Sequence, residues 1–303
     1  VASTGIVHHR TIMTTNDQHT PARSTGRRDV RRRLRTLIPA SRRVKPLAGA
    51  RGRRWVQLRK LLAPLVKRPV ILTSRDGVRM ELTVDPVDEL VANDLLGRNR
   101  TLWFPPLPDD LAAKGLAPFD DPQVVLDLGS HHGFYAVTAL ALYPRATLIA
   151  VEPSAEGTAR VRRNLELNGS SHRVRLVEAG LAPEAGTGTL LHTDEGSWGN
   201  SLFQEDGVQV LGREQVTLLT LAEILNGERP DVIKCNAEGA EFALIAQLCA
   251  SDIRPALMIV MVHPEFGDLD EAQRQIEELG YRVVRSGTAH HPALQAWRVA
   301  TAN

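Results

Sequence analysis

Thiols are scarce in this chain. Two cysteines, Cys235 and Cys249, in 303 residues exclude a disulfide framework and a cysteine-rich zinc site, and they make a reducing cytoplasm the expected compartment. No apolar run reaches the roughly 18 residues that a spanning helix needs, so no membrane span is expected. Acidic residues are nearly missing from the first sixty positions. There Asp17 and Asp29 stand against fourteen Arg and two Lys, a local balance of +14 within a net charge of +2, which leaves −12 on the remainder. Residues 1–33 also lack apolar periodicity, so they read as a disordered basic arm: a poorly ordered charged tail is the favoured reading, and a segment that adheres to phosphates, nucleic acid or anionic lipid is the alternative. Arg27-Arg28 or the arginines at 31–33 could open a twin-arginine export signal, but residues 34–43 lack the apolar stretch that must follow, which disfavours export.

What is present is an ordinary globular composition, 43% hydrophobic and 24% charged, long enough for about two domains at roughly 150 residues each. We divide the chain into a basic arm (1–45), a helical and β-hairpin element (46–120) and a main domain (121–303). In the second part, Trp55, Leu58, Leu61, Leu62, Leu65 and Val66 recur at helical spacing, interrupted by Pro64. Two short strands, 70–74 and 78–84, flank Asp76-Gly77, a pair suited to a tight turn. Residues 85–103 read as helix, and Pro105, Pro106 and Pro108 end it. After Pro122 the pattern becomes strand (124–128), helix (134–142), strand (147–152), helix (155–167) and strand (174–178). Such βαβαβ alternation implies a parallel sheet covered on both faces. A polar, Gly-rich insertion occupies 182–200, and 208–217 looks extended. Strand 231–236, helix 241–249, strand 256–262, helix 269–279 and strands 281–285 and 295–299 follow. Residues 286–294 are too few for a crossover helix, so the last two strands should pair antiparallel. The fold class is α/β with seven strands in a Rossmann-like, mostly parallel sheet and an antiparallel last strand.

The first strand runs into Asp127-Leu-Gly-Ser-His-His-Gly-Phe. Gly129 allows a tight turn and close approach, Gly133 allows close packing of the following helix on the strand, and Asp127 places a carboxylate at the sheet edge. The second strand ends in Glu152, 25 positions after Asp127, where an acid can accept both hydroxyls of a ribose. The pair specifies a nucleoside-containing cofactor. A dinucleotide fingerprint is absent because position 131 is His rather than Gly. Asp127 would repel a phosphate and favour an ammonium, which selects S-adenosylmethionine over NAD. The expected cofactor wall is Asp127, Gly129, Ser130, His131, Gly133 and Phe134 from the loop, with Glu152 and Pro153 from the second strand tip and Glu178, Ala179 and Gly180 from the third.

These residues carry a resemblance. The segments Val124-Val-Leu-Asp-Leu-Gly-Ser-His-His-Gly-Phe-Tyr, Val151-Glu-Pro, Asn164-Leu-Glu-Leu-Asn-Gly and Ile233-Lys-Cys-Asn-Ala-Glu-Gly-Ala-Glu resemble the FkbM family of S-adenosylmethionine-dependent methyltransferases, over about residues 70–300. The family's later Val-His-Pro is matched by Val262-His263-Pro264. The resemblance implies a seven-stranded methyltransferase fold and an O-methyltransferase acting on hydroxyls of sugars, glycans or secondary metabolites. Three positions depart from the family pattern: Ser130 stands for Ala, His131 for Asn, and Asn236 for the Asp of the fourth-strand motif. Asn236 is a weaker metal ligand than a carboxylate, so metal-independent turnover is expected and no metal site is assigned.

Methyl transfer to oxygen needs alignment and a base. Glu238, Glu241 and His263 fall at the tips of strands four and five, beside the expected cleft. His263 titrates nearest neutrality, so it is the expected base, with Glu238 or Glu241 orienting it or the substrate; Lys234 should point toward an anionic substrate or Glu238. His131-His132 are not expected to bind metal, and His290-His291, in a hairpin loop, are expected to be solvated. Trp198 and Asn200, in a lid-like insertion, could contact a sugar ring. The competing readings are a nucleic-acid methyltransferase with the arm as phosphate clamp, disfavoured because the arm lacks interleaved aromatics apart from Trp55 and no Asn-Pro-Pro-Tyr-like motif occurs, and a catalytically degenerate binding protein in which Asn236 has removed the chemistry. A homo-oligomer is compatible with the sequence.

Overall fold

Val124–Leu128 (β3) lies inside a sheet because its residues are apolar on both faces apart from Asp127, as those of the flanking strands are apart from Lys234. The structure is a computed structural model that describes residues 69–83, 86–97, 100–113, 121–193, 200–203, 208–288 and 291–299. The basic arm and the helix expected at 55–66 lie outside these residues. Beside β3 run Thr147–Val151 (β4) and Val174–Val177 (β5) on one side and Val232–Cys235 (β9) and Leu257–Met261 (β10) on the other, all parallel. Pro292–Arg298 (β12) is antiparallel to both β10 and Tyr281–Gly287 (β11). The order β11-β12-β10-β9-β3-β4-β5 reverses at β3, which opens a crevice at the carboxyl ends of the strands where ligands bind in open α/β sheets. No described helix is long and apolar enough to cross a membrane.

Alternation along the strands sends side chains to two cores. Leu126, Leu128, Ile149, Val151, Ile233 and Cys235 face Leu221–Leu225 (α6), Glu241–Cys249 (α7) and Leu269–Glu278 (α8). Val125, Leu148, Ala150 and Val232 face Phe134–Leu142 (α4) and Ala155–Leu167 (α5). Asp127 and Lys234 belong to this second face and are register partners on adjacent parallel strands.

The hairpin of Val70–Thr73 (β1) and Arg79–Leu82 (β2) packs on that face as well, with Leu72, Met80 and Leu82 fully buried in one cluster with α4 and α5 residues. Its attachment is built from two asparagines one turn apart on α5. Asn168 accepts from the Arg79 N–H at 2.9 Å and donates to the Arg79 carbonyl at 2.7 Å, while Asn164 accepts from the Glu81 N–H at 2.7 Å. Asn164 also donates to the His132 carbonyl at 2.8 Å, which ties the hairpin to the glycine loop. The single helix expected over 85–103 is two, Pro86–Leu96 (α1) and Arg100–Trp103 (α2), parted at Gly97. A third, Asp109–Ala112 (α3), follows the prolines.

The insertion expected to be a polar loop contains an eight-residue strand. Gly186–Thr193 (β7) pairs antiparallel with Val210–Leu219 (β8), and Gly180–Leu181 (β6) pairs parallel with β8. The glycine that suggested a loop has a packing reason: a Cβ at Gly188 would stand 2.9 Å from the buried Leu218 side chain. Asn164→Ala strips buried partners from both the Glu81 N–H and the His132 carbonyl. It should destabilise the protein by about 1–3 kcal/mol, whereas Asn168→Ala, whose bonds to Arg79 are exposed, should cost about 0.5–1.5 kcal/mol; urea denaturation measures both.

Candidate active site

The glycine loop hangs from the end of β4, since the Gly129 and Ser130 N–H groups both donate to the Val151 carbonyl, at 3.1 and 2.9 Å. Gly129 has φ +71°, and a Cβ there would lie 2.0 Å from the Asn236 carbonyl oxygen. The close approach that demands glycine is therefore to the tip of β9. Gly133 (φ +74°) caps α4, and its missing Cβ makes room for Val161 of α5 at 3.1 Å. This glycine serves helix-on-helix packing, not the helix-on-strand contact expected.

Beneath the loop lies a buried ion pair. Lys234 Nζ is 2.8 Å from Asp127 Oδ1 and donates to the Leu128 and Gly129 carbonyls at 3.2 and 2.7 Å. Its ammonium also sits 5.8 Å from the Trp103 ring centroid and 5.7 Å from that of Tyr135, within cation–π range. Lys234 is thus committed to Asp127 and the loop backbone rather than to Glu238 or an anionic substrate. The same pairing answers Asp127, which has no exposed surface and faces the protein's own ammonium.

At the next strand tip the buried Glu152 accepts from the His131 N–H at 2.8 Å and from the Ser154 N–H at 3.0 Å. Burial pushes its carboxyl up to about 7 against the opposing effect of those two amides. His131 takes a left-handed backbone, φ +52°, to deliver that amide. Its ring stacks on His132 at 3.6 Å between centroids, and burial, reinforced by His132, holds it well below the usual imidazole range. The two rings lie face to face and do not converge on one point. His132 Nδ1 instead engages Asp88 of α1, which also accepts from the Thr83 hydroxyl at 2.7 Å.

A carboxylate–imidazole–carboxylate line occupies the tips of β9 and β10. Glu241, fully buried at the start of α7, accepts from the His263 N–H at 2.8 Å and contacts His263 Nδ1 at 2.9 Å. Its other oxygen accepts from the Gly239 N–H at 2.8 Å. On the far side of the ring, Nε2 lies 3.3 Å from Glu238 Oε1. Burial opposes charge on this imidazole, but the two carboxylates outweigh it and lift His263 to about 10. His263 is therefore protonated at neutral pH, which removes the reason for expecting it to be the base. Glu238 has a left-handed backbone, φ +45°, followed by Gly239 at φ +101°, a conformation that concentrates at functional loops. Ser201 holds it there by donating to the Glu238 carbonyl at 3.0 Å.

These tips surround a cleft of about 1120 Å³ of open space, solvent at its mouth included. The Methyltransferase FkbM domain family matches residues 127–283, a span that takes in the glycine loop, Glu152 and the Glu238–His263–Glu241 line. The chain belongs to the FkbM methyltransferase family. It is 26% identical over 190 residues to "Methyltransferase 1" of Beauveria bassiana, a match covering 55% of this chain and 76% of that one. It is 25% identical over 151 residues to "Methyltransferase sdnD" of Sordaria araneosa, covering 40% and 58%. Among solved structures, an O-methyltransferase family protein from Burkholderia thailandensis superposes with TM-score 0.40 at 13% identity over 71% of this chain and 59% of that one. A precorrin-6Y C5,15-methyltransferase from Geobacter metallireducens gives 0.38 at 16% over 60% and 82%.

In this methyltransferase the cleft brings together most of the residues expected from sequence. Gly129, Ser130, His131 and Phe134 line it from the loop, Glu152, Pro153, Ala179 and Gly180 from the next two strand tips, and Lys234, Asn236 and Glu238 from β9 and beyond. Asp127, Gly133, Glu241 and His263 stand behind that wall. Glu178, one residue past the end of β5, is exposed and pairs with Arg162, so it leaves the cofactor set, while Ala179 and Gly180 remain on the cleft wall. Asn200 lines the cleft, and Trp198 lies outside the described residues. Sequence reasoning missed Val91, Asp94 and Leu95 of α1 and Trp103 of α2, which also line the cleft. The three- and four-residue spacing of Val91, Asp94 and Leu95 was the available signal, a helical stripe in which the acid shares the apolar face. Among the described residues no cluster of His, Cys, Asp and Glu has metal-site geometry.

The His263 pairing makes a pH prediction with a definite sign. Its folded value, about 10, lies above the ordinary 6.5, so the stabilisation is complete below 6.5 and disappears as pH rises through 10. The stability gap between wild type and His263→Gln, measured by urea denaturation, should therefore narrow steadily from pH 6.5 to pH 10.

Proposed function

We propose that this methyltransferase uses S-adenosylmethionine to methylate a hydroxyl of a sugar, glycan or secondary metabolite, with Glu238 as the base. The observation that carries the reading is Glu238 itself, a carboxylate on the cleft wall, held by a strained backbone and backed by an imidazolium. The residues present suit the cofactor. Glu152 offers a carboxylate for the ribose, and Pro153, Ala179, Gly180 and Leu181 line the cleft beside it for the adenine. When bound, the cofactor supplies an electrophilic methyl carbon on a sulfonium. Glu238 takes the acceptor's hydroxyl proton, His263 holds the Glu238 carboxylate in position through Nε2, and Glu241 fixes the orientation of the ring through Nδ1.

A small-molecule or glycan acceptor is favoured over nucleic acid by the charge of the wall. Among the described cleft residues Lys234 is the one Lys or Arg, and its ammonium is engaged, whereas phosphate backbones are held by free cations. Much of the rest of the lining is apolar and aromatic, with Val91, Leu95, Trp103, Phe134, Leu190 and Leu202. The compartment in keeping with this reading is the cytoplasm.

Calorimetry should show binding of S-adenosylmethionine and S-adenosylhomocysteine and not of NAD, and Glu152→Ala should weaken it by about 1.5–3 kcal/mol. Preference for NAD would remove the basis of the reading. In an assay of S-adenosylhomocysteine release over a panel of sugars, glycans and hydroxylated metabolites, Glu238→Gln should lower kcat by about 10²- to 10⁴-fold with cofactor affinity retained. Turnover restricted to amine or nucleic-acid acceptors would rule out O-methylation.

A further inference from the structure

Two hydrogen-bond donors at the inner end of the cleft have no partner among the described residues. Trp103 Nε1 and the Tyr135 hydroxyl are each buried with no bond made, on side chains only 8% and 4% exposed, and both residues line the cleft. Native proteins rarely leave such groups unsatisfied, because a buried donor that has lost water and gained no partner is destabilising. The pair is placed deliberately: the rings meet edge to face at 6.5 Å between centroids, and Tyr135 stacks on Phe104 at 5.1 Å with only 4° between the planes. Burial pushes the Tyr135 phenol well above its ordinary range, so it keeps its proton and remains a donor.

The neighbouring charges say what kind of group these donors await. Lys234 lies close to both rings, but its ammonium already has three oxygens within 3.2 Å, those of Asp127, Leu128 and Gly129. An acceptor entering here is therefore met by the indole N–H and the phenol O–H, beside an ion pair with no net charge. Two unpartnered donors on adjoining rings suit a carboxylate, whose oxygens only accept. We propose that Trp103 and Tyr135 form a carboxylate subsite and that its occupant is the amino-acid carboxylate of the cofactor. The assignment rests on the S-adenosylmethionine reading above. It makes the α2 segment, which precedes the residues matched by the family, a part of cofactor recognition.

The test compares S-adenosylmethionine with its decarboxylated form, which keeps the adenosine, sulfonium and ammonium and lacks only the carboxylate. By calorimetry the wild type should bind S-adenosylmethionine at least 10-fold more tightly. Tyr135→Phe keeps the ring stacked on Phe104 and should weaken S-adenosylmethionine about 10-fold while leaving the decarboxylated ligand unchanged, so that the preference collapses. Trp103→Phe should do the same, and thermal melting of each variant confirms the fold. An unchanged preference in both variants would mean that the donors serve only ordered water, and the subsite would be wrong while the cofactor reading stood. Equal wild-type affinity for the two ligands, with Tyr135→Phe raising KM for a carboxylated acceptor alone, would overturn the assignment by moving the carboxylate to the acceptor. Binding of neither ligand by the wild type would overturn the cofactor reading and the subsite together.

Discussion

The Asp127–Lys234 pair is the contact on which the rest of the site depends. It joins the two central strands at their register position, just where the strand order reverses, and from there Lys234 reaches the carbonyls of Leu128 and Gly129. Two opposite charges with almost no access to water are tolerable only as a pair, because either one alone would remain charged in a medium that cannot solvate it. The pair therefore acts less as a source of stability than as a constraint. It fixes the height of the glycine loop relative to the sheet, and through the loop the positions of His131 and His132.

From that loop the order spreads in two directions. Toward β4, the His131 amide reaches Glu152, whose carboxyl is raised by burial to the middle of the physiological range. Toward the N-terminal hairpin, His132 reaches Asp88 through its ring and Asn164 through its carbonyl. On the other side of β3, the contact that requires Gly129 is with the Asn236 carbonyl, and two residues later the chain turns left-handed at Glu238. The acid at the cleft and the loop that floors it are thus separated by one backbone contact.

Much of this was legible in the sequence, and the reasons differ by element. The strands β3, β4, β9 and β10 are short apolar runs bounded by turn residues, and the helices α4, α5 and α7 begin where expected because the glycines, Ser154 and Glu241 mark their starts. Strand β7 was not legible, since Gly and Thr alternate along half of it and the packing that explains Gly188 comes from Leu218, thirty residues away. The roles of Asp127, Lys234 and His263 failed to show for a single reason. Each residue type was right for the edge of the sheet, but its charge state and its partner depend on a neighbour brought in by another strand. His263 illustrates this best: an imidazole taken by itself titrates near neutrality, and only the placement of Glu238 and Glu241 on either side makes it a lasting cation.

The asparagine pair on α5 has a consequence for how such an enzyme can be rebuilt. Because Asn164 and Asn168 read only main-chain atoms of β2, they place no demand on the hairpin's side chains; that demand comes from the core, which Leu72, Met80 and Leu82 fill. Asp88 is different, for it contacts the ring of one histidine of the loop. A transplanted N-terminal segment from a relative would then dock through the asparagines provided that it keeps apolar side chains at those three positions. It would also bring its own α1 and α2, and with them a new wall for the cleft, while the sheet stayed the same. Exchange of this segment offers a route to altered specificity that leaves the central strands untouched, provided that the acid opposite His132 travels with it.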